Sequence, residues 1–274
     1  MIKFFRQIRY KLMSENETGK YFKYAFGEIV LVVMGILIAL SINNWNEDRK
    51  TANTEIEYLI RLRSDIANDT AYYHRRIKYA DKVIADHKKV FQVSYTEIES
   101  PRDFYDAFNI LDWSSESLSI RDITFNEMRN AGQINIIQND KVKAEILEFY
   151  RQAELAEKHF DEINNTSIEY MSDFFIHSKA IKHFWTYKQE HSPWTAEMLE
   201  ESNDWQWIND PESESFKAFH FSLGFYSNKH FYFKSYLEDL AYKSTILLQE
   251  LENELKSRSI DIPELKIESV FVID

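Results

Sequence analysis

The most apolar part of the chain lies near its N-terminus. Residues 29–42 are apolar apart from one glycine and one serine, so no helix face is polar. With its aromatic flanks the segment becomes 24–45, which as a helix spans roughly 33 Å at about 1.5 Å per residue, enough to cross a bilayer. The pattern predicts a single transmembrane helix over 24–45, with Tyr24 and Trp45 at the two interfaces.

After residue 45 the apolar residues recur every third or fourth position, which is the period of an α-helix. This spacing predicts long helices over about 47–95, 142–184 and 230–257. The inward positions of the first are Ile56, Leu59, Ile66, Tyr73, Ile77, Ala80, Ile84 and Phe91, and those of the last are Phe233, Leu237, Leu240, Ser244, Leu247 and Leu251. The first of these helices could be continuous with the membrane span.

The middle helix has the most regular pattern. Its series is Val142, Ile146, Phe149, Ala153, Ala156, Phe160, Ile163, Ser167, Tyr170, Phe174, His177, Ile181 and Phe184. Strict alternation of four and three residues is typical of a coiled-coil seam. A seam of this length could also accept a helix from a second subunit.

Local signals predict shorter helices between the long ones. Ser100 can cap a helix that begins at Pro101 and ends near Leu111. Residues 124–127 fit a capping box, and Gly132 predicts the end of the helix that follows.

The region from 190 to 229 is the least regular. Pro193 and Pro211 predict two further helix starts, and Gly224 predicts the end of the second short helix. The tail from residue 263 alternates weakly and suits either a short strand or a docking extension.

These elements predict an all-α fold: one N-terminal transmembrane helix, then an antiparallel bundle of long helices joined by short connecting helices. No single amphipathic helix of this kind buries its apolar face alone, and an antiparallel bundle is the simplest solution. The predicted organisation is a leader over 1–23, the membrane helix over 24–45, the bundle over 46–262 and a C-terminal tail over 263–274.

Composition supports this fold and excludes others. Only 5 Gly and 4 Pro occur among 274 residues, too few turn formers for a sheet protein of this length. The absence of Cys excludes disulfides, thiolate metal sites and a cysteine nucleophile. A net charge of −12 argues against nucleic acid as a partner.

The net charge conceals an asymmetry along the chain. Residues 1–25 carry a net +4, residues 26–45 hold only Glu28, and the remainder carries −15. Basic residues crowd the N-terminal side of the apolar segment, so that side should be cytoplasmic and the acidic bulk should face outward. Residues 1–23 suit a basic amphipathic helix on the cytoplasmic leaflet, although a flexible leader or partner-binding segment is the alternative.

Three other interpretations of the N-terminus compete with an uncleaved anchor. A cleaved signal peptide fits the small residues Ala39 and Ser41, but the preceding region is long and contains acids. A prepilin-like start fails because Gly27 directly precedes Glu28. A buried core helix is the third. Cleavage at Ser41, which would leave a mature chain beginning at Ile42, stays open.

No motif for catalysis or cofactor binding is present, so no catalytic, cofactor-binding or metal-binding residue is predicted. None of the eight His has Glu three residues before it, which excludes the paired ligands of di-iron bundles, and His-Glu-x-x-His is absent. With Gly132 and Gly224 the only glycines after residue 35, a phosphate loop is unsupported. A serine–histidine dyad assembled in space stays open, so an envelope enzyme is kept as an alternative.

Glu28 is the most unusual residue of the predicted span. It suits an interfacial position, a contact with another helix, or an ion path. Gly35 lies seven residues further on and forms a small-xxx-small pair with Ala39 on the same face, which favours helix packing at Glu28, Gly35 and Ala39.

The region 194–233 is rich in aromatic residues, including Trp194, Trp205 and Trp207. Such a cluster either fills a core beneath short helices or forms a partner surface. Both interpretations stay open for the three tryptophans.

The sequence 27-GEIVLVV-33, 35-GILIAL-40 and 42-INNWNE-47, with MIKFFR at residues 1–6, resembles the N-terminal signature of a family of unknown function in Gram-negative bacteria. A weaker similarity continues through 124-TFNEM-128 and 132-GQINII-137. The resemblance implies a single-pass membrane protein with a helical exterior domain, and it implies no activity.

The sequence therefore predicts a non-enzymatic protein of the bacterial inner membrane, with its N-terminus cytoplasmic and its bulk periplasmic. Its expected partners are the lipid bilayer and either a second copy of itself or another envelope protein, for which it would be a scaffold or accessory subunit. A ligand-sensing bundle that signals through the span is the main alternative, and its small-molecule ligand is not identified by the sequence.

Overall fold

The computed structural model describes residue 10 and residues 18–108, 110–111, 117–177 and 206–267. Within these ranges all regular elements are helices, and the fold is all-α as predicted. The α-helices are α1 (Thr18–Val93), α2 (Pro101–Phe108), α3 (Ile123–Asn130), α4 (Asp140–His177) and α5 (Glu214–Ser257). Two 3-10 helices, Ile134–Ile136 and Gln206–Asn209, lie between them.

The chain divides into two compact units, Met1–Glu57 and Tyr58–Asp274. The described part of the first unit from residue 18 is helical, and every residue over 31–50 is exposed. An 18-residue window there has a mean hydropathy of 2.5 and no buried residue. This is one helix near the N-terminus that is long and apolar enough to cross a membrane.

In the second unit, α5 runs antiparallel to both other long helices. Its pairs with α4 are Glu250 with Lys141, Phe233 with Phe160, and Phe225 with Tyr170. Its pairs with α1 are Glu252 with Arg63, Ser244 with Thr70, Lys234 with Asp81, and Tyr226 with His87. Because α1 and α4 both oppose α5, they are parallel to each other, and the connection 94–139 has to bring the chain back along the bundle.

The predicted inward positions of α4 are confirmed as buried over its first five turns. Val142, Ile146, Phe149, Ala153, Ala156 and Phe160 are all buried. Further along, the buried residues are Asn164, Ser167 and Met171, whereas Tyr170 is 42% exposed. A straight helix has 3.6 residues per turn and drifts from a 3.5-residue repeat, which moves the buried face by one position. The seam residues from Phe174 onward have no described side chains.

The predicted inward face of α5 is also confirmed, because all six positions from Phe233 to Leu251 are buried. The predicted break at Gly224 was wrong, since α5 continues through it from Glu214. The helix begins after Ser213, whose Oγ accepts the Phe216 N–H at 3.2 Å, and Pro211 lies in the preceding turn. A single glycine lowers helix propensity but does not end a helix that buries residues on both sides of it.

The shorter elements follow the predicted signals in part. Ser100 caps α2 by accepting the Asp103 N–H at 3.1 Å, although the helix ends at Phe108. Gly132 follows α3 with a φ of 67°, and the Gln133 N–H donates to the Met128 carbonyl at 2.8 Å, which is the expected glycine stop. α1 ends at Val93 and is continuous from Thr18.

The C-terminal segment follows α1 rather than forming a strand in its described part, residues 260–267. The Arg63 guanidinium donates to the Pro263 carbonyl at 2.9 Å, and the Asn68 amide donates to the Lys266 carbonyl at 3.3 Å. Of the two predicted possibilities, the docking extension is the one seen.

The two glycines of the second unit provide a matched pair of substitutions. A Cβ at Gly224 would meet only Phe91 Cζ at 3.7 Å, so Gly224→Ala should stabilise the folded state by about 1 kcal/mol through helix propensity. Gly132→Ala should destabilise it by roughly 1–2 kcal/mol, because alanine is strained at positive φ. Urea unfolding of the full chain followed by circular dichroism measures both, and destabilisation by Gly224→Ala would contradict the continuous helix.

Candidate functional site

A line of polar side chains lies along α1 in the second unit. Tyr58, Arg61, Asp65, Asp69 and Tyr72 are separated by three or four residues and therefore share one helix face. Each of them meets a residue of the connection that returns from α1 to α4. We call this line the polar ladder.

The lower end of the polar ladder holds the residues on both sides of the Gly132 turn. The Arg61 guanidinium binds the Glu127 carboxylate with both of its terminal nitrogens. The Tyr58 hydroxyl lies 3.2 Å from Glu127 Oε1 and 2.6 Å from Gln133 Oε1. Hydrogen bonds from Arg61 lower the pKa of Glu127, so this carboxylate stays ionised and bound near neutral pH.

In the middle of the polar ladder, Asp65 caps α3 from a different helix. Its carboxyl accepts hydrogen bonds from both the hydroxyl and the backbone N–H of Thr124. The residue in the usual capping position, Asp122, makes no side-chain cap. The predicted capping box over residues 124–127 was therefore wrong: Thr124 lies inside the helix, and Glu127 points to Arg61.

The upper end of the polar ladder holds the backbone of the extended segment before α3. The Arg121 N–H donates to both Asp69 oxygens at 3.2 and 3.1 Å, and the Ser119 N–H donates to the Tyr72 hydroxyl at 3.3 Å. From the other side, the Tyr150 hydroxyl of α4 donates to the Arg121 carbonyl at 3.2 Å. The backbone at Arg121 is thus held between α1 and α4.

Burial raises the pKa of both aspartates. Desolvation raises the pKa of Asp65, against the hydrogen bonds from Thr124. Desolvation raises the pKa of Asp69 more strongly, to about 7, against the hydrogen bond and charge of Arg121. The polar ladder therefore combines hydrogen bonding with two carboxyls whose pKa values are raised by burial.

The structure brings one serine and one histidine together, at the end of α1. Ser94 Oγ lies 2.9 Å from His220 Nε2, and its hydroxyl lies 2.9 Å from the Phe91 carbonyl, to which it donates. Because the single hydroxyl proton is used by Phe91, the His220 Nε2–H donates to Ser94 rather than removing its proton. Ser94 is also buried, and the pair gives no support to nucleophilic catalysis.

The membrane-helix candidates lie on the uncovered part of α1. Gly35 and Ala39 are exposed, a Cβ added at Gly35 would meet nothing within 4 Å, and Glu28 is half-buried. Packing at Glu28, Gly35 and Ala39 therefore stays a prediction about a partner helix.

Of the three tryptophans, only Trp207 lies among the described residues. It is half-buried and packs against the core around Phe219, with ring centroids 5.6 Å apart. Trp194 and Trp205 lie outside the described residues, and a partner surface at these tryptophans stays a prediction.

The outward face of α5 carries a second, unpredicted set of aromatic residues, which we call the aromatic stripe. Phe221, Phe231, Tyr232 and Tyr242 are 58%, 62%, 55% and 68% exposed. At 100° per residue they fall within one third of the helix circumference, opposite the buried face. Tyr170 of α4 contacts Phe221 at one end, with ring centroids 5.3 Å apart. Large exposed aromatics in a line are typical of interaction surfaces.

In the part of the chain that the structure describes, no group of three His, Asp or Glu is arranged to hold a metal ion. The buried imidazoles of His87 and His230 lie with ring centroids 5.9 Å apart, next to Lys229, in the core between α1 and α5. The sequence pattern predicted neither this pair of buried histidines nor the polar ladder. The three-and-four spacing of Tyr58, Arg61, Asp65, Asp69 and Tyr72 was the available signal.

Comparison with known proteins adds one finding. Residues 28–97, about a quarter of the chain, match the model of a family of unknown function (DUF6090). The matched region contains most of the uncovered apolar helix and the α1 side of the polar ladder. No curated protein and no solved structure was found to match the chain.

Removal of the Asp65 carboxyl tests the cap that one helix provides to another. Asp65→Ala leaves the buried Thr124 N–H and hydroxyl without their acceptor and should cost about 0.5–2 kcal/mol of unfolding free energy. Asp65→Asn keeps an acceptor oxygen and should stay close to the wild type. Asp239→Ala, on the exposed face of α5, is the control for loss of a carboxylate. Equal stability of the Ala and Asn variants at position 65 would contradict the cap.

Proposed function

We propose that the chain is a single-pass protein of the bacterial inner membrane, with its N-terminus in the cytoplasm and its acidic helical domain in the periplasm. The domain acts by association, as a scaffold or accessory subunit of an envelope assembly. It has no catalytic role in this proposal.

The uncovered apolar helix carries the proposal. Side chains over residues 29–42 that would be buried in a water-soluble protein are nearly all exposed, on every face of the helix, with Leu40 53% and Ile38 61% exposed. In water this would be a large unfavourable apolar surface, at roughly 25 cal/mol per Å². A lipid bilayer covers such a surface all round, and a backbone hydrogen-bonded within its own helix is the form that lipid requires.

Charge supports the orientation. The +4 of residues 1–25 lies on one side of the apolar helix and the −15 of the rest on the other. Positive charge close to a span favours the cytoplasmic side.

The aromatic stripe supports association as the role of the domain. Its four aromatics are each more than half exposed, although Tyr170 of α4 contacts Phe221, and Tyr, Phe and Trp are enriched where proteins bind each other. The stripe offers a surface for a partner or for a second copy of the chain.

The uninterrupted course of α1 supports the second candidate function, a periplasmic sensor. The helix extends from Thr18 to Val93 without a break, so the segment predicted to cross the membrane and the first long helix of the bundle are one element. A sensor would show a saturable thermal shift with a small molecule, whereas a scaffold would co-purify with a partner at fixed stoichiometry.

Topology is tested with reporter fusions in cells. Alkaline phosphatase fused after Asp274 should be active, because the enzyme folds only outside the cytoplasm, and the same reporter fused after Lys23 should be inactive. An inactive Asp274 fusion, or a mature chain that begins at Ile42, would contradict the proposed anchor.

Association is tested by photo-crosslinking in native membranes. A benzophenone side chain placed at Phe231 or Tyr242 should give one defined protein adduct, identified by mass spectrometry. The control positions Lys158 and Glu162, on the polar outer face of α4, should give none. Equal adducts from both helices, or no protein adduct from the aromatic stripe, would count against association through α5.

A further inference from the structure

The contacts of Asp69 are too few for a buried carboxylate. The residue is 1% exposed, and among the described residues both of its oxygens share a single hydrogen-bond donor, the Arg121 N–H. A buried ionised carboxylate is normally stabilised by several donors or by a paired cation. When the connection closes over it, Asp69 therefore loses the solvation of its negative charge. The single hydrogen-bond donor replaces little of that stabilisation.

The groups that face Asp69 reinforce this imbalance. Its own helix contributes Asp65 one turn away and the phenol of Tyr73, the connection contributes Asp122 and the Arg121 guanidinium, and α4 contributes Tyr150. Arg121 is the one cation among the groups named, and its charge also acts on the Asp65 carboxyl. The Tyr73 hydroxyl is buried and makes no hydrogen bond to a described residue, so it does not compensate the charge.

We propose that the docking of residues 117–133 onto α1 is a proton-sensitive latch, in which the Asp69 carboxyl binds a proton as the connection closes and releases it as the connection opens. The protonated carboxyl still accepts the Arg121 N–H through its carbonyl oxygen. The balance is one proton taken from solvent on closing and returned on opening. The latch does not depend on whether the domain is a scaffold or a sensor.

The direction of the pH effect follows from the two states. In the closed state the pKa of Asp69 is about 7, and in the open, solvated state it is near 3.8. Because the closed state binds the proton more tightly, closure is favoured at low pH and loses stability as the pH rises between these two values. Above the closed-state pKa both states are ionised, and the effect levels off.

Hydrogen exchange of the full chain in detergent micelles, measured by mass spectrometry between pH 4.5 and 8, tests the latch. After correction for intrinsic exchange, opening of residues 117–133 should increase by about tenfold per pH unit from pH 5 to 6.5 and level off above pH 7. Asp69→Asn should abolish this tenfold dependence, because an amide accepts the Arg121 N–H without titrating. The weaker effect of Asp65, whose pKa is also raised by burial, should remain. Asp86→Asn, a partly exposed carboxyl on the same helix that pairs with Lys89, should keep the tenfold dependence.

A wild-type profile in which residues 117–133 respond to pH no more than the C-terminal half of α5 would overturn the latch. Persistence of the tenfold dependence in Asp69→Asn would also overturn it. If the Asp69→Asn chain does not fold, the pH profile of exchange in the wild-type chain decides alone. A transition confined to residues 117–133 that levels off near pH 7 supports the latch. A profile that does not change with pH, or a transition shared by the whole chain, excludes it.

Discussion

An apolar helix surface has to be covered, and α1 meets this constraint in two different ways along its length. Over residues 29–42 it is apolar on every face and no described protein side chain covers it. From Tyr58 onward its pattern becomes two-sided, with apolar residues buried in the bundle and the polar ladder directed at the returning connection. The change from one pattern to the other separates the part that we propose lies in lipid from the part that folds as a domain.

Because α1 and α4 are parallel, the chain between them has to return along the bundle, and the polar ladder holds this returning connection in place. A long connection without long helices has to return along the bundle, and its backbone N–H groups need acceptors. Side chains of α1 supply them at Ser119, Arg121 and Thr124, and the ion pair of Arg61 with Glu127 fixes the turn into α4. Hydrogen bonds thus set the path of the connection, while apolar side chains of α1, α4 and α5 form the buried core.

The sequence predicted what depends on local pattern. The buried faces of α4 and α5, the cap at Ser100 and the stop at Gly132 all follow from residues within one or two turns of each other. Gly224 and the capping box over residues 124–127 were misjudged because tertiary burial and a distant carboxyl outweighed the local signal. The partners of the polar ladder lie 47 to 75 residues apart in the chain, and periodicity alone does not pair them.

The account rests on lipid as the cover of residues 29–42, and site-directed spin labelling tests this most directly. The chain has no cysteine, so single cysteines placed at each position over 29–42 can be labelled cleanly and studied in lipid vesicles. The account predicts that dissolved oxygen reaches every label and a water-soluble nickel complex reaches none, on all helix faces. If the labels were accessible to oxygen and to the nickel complex in alternation, with a period near 3.6 residues, the helix would lie on the membrane surface. This result would contradict the membrane span.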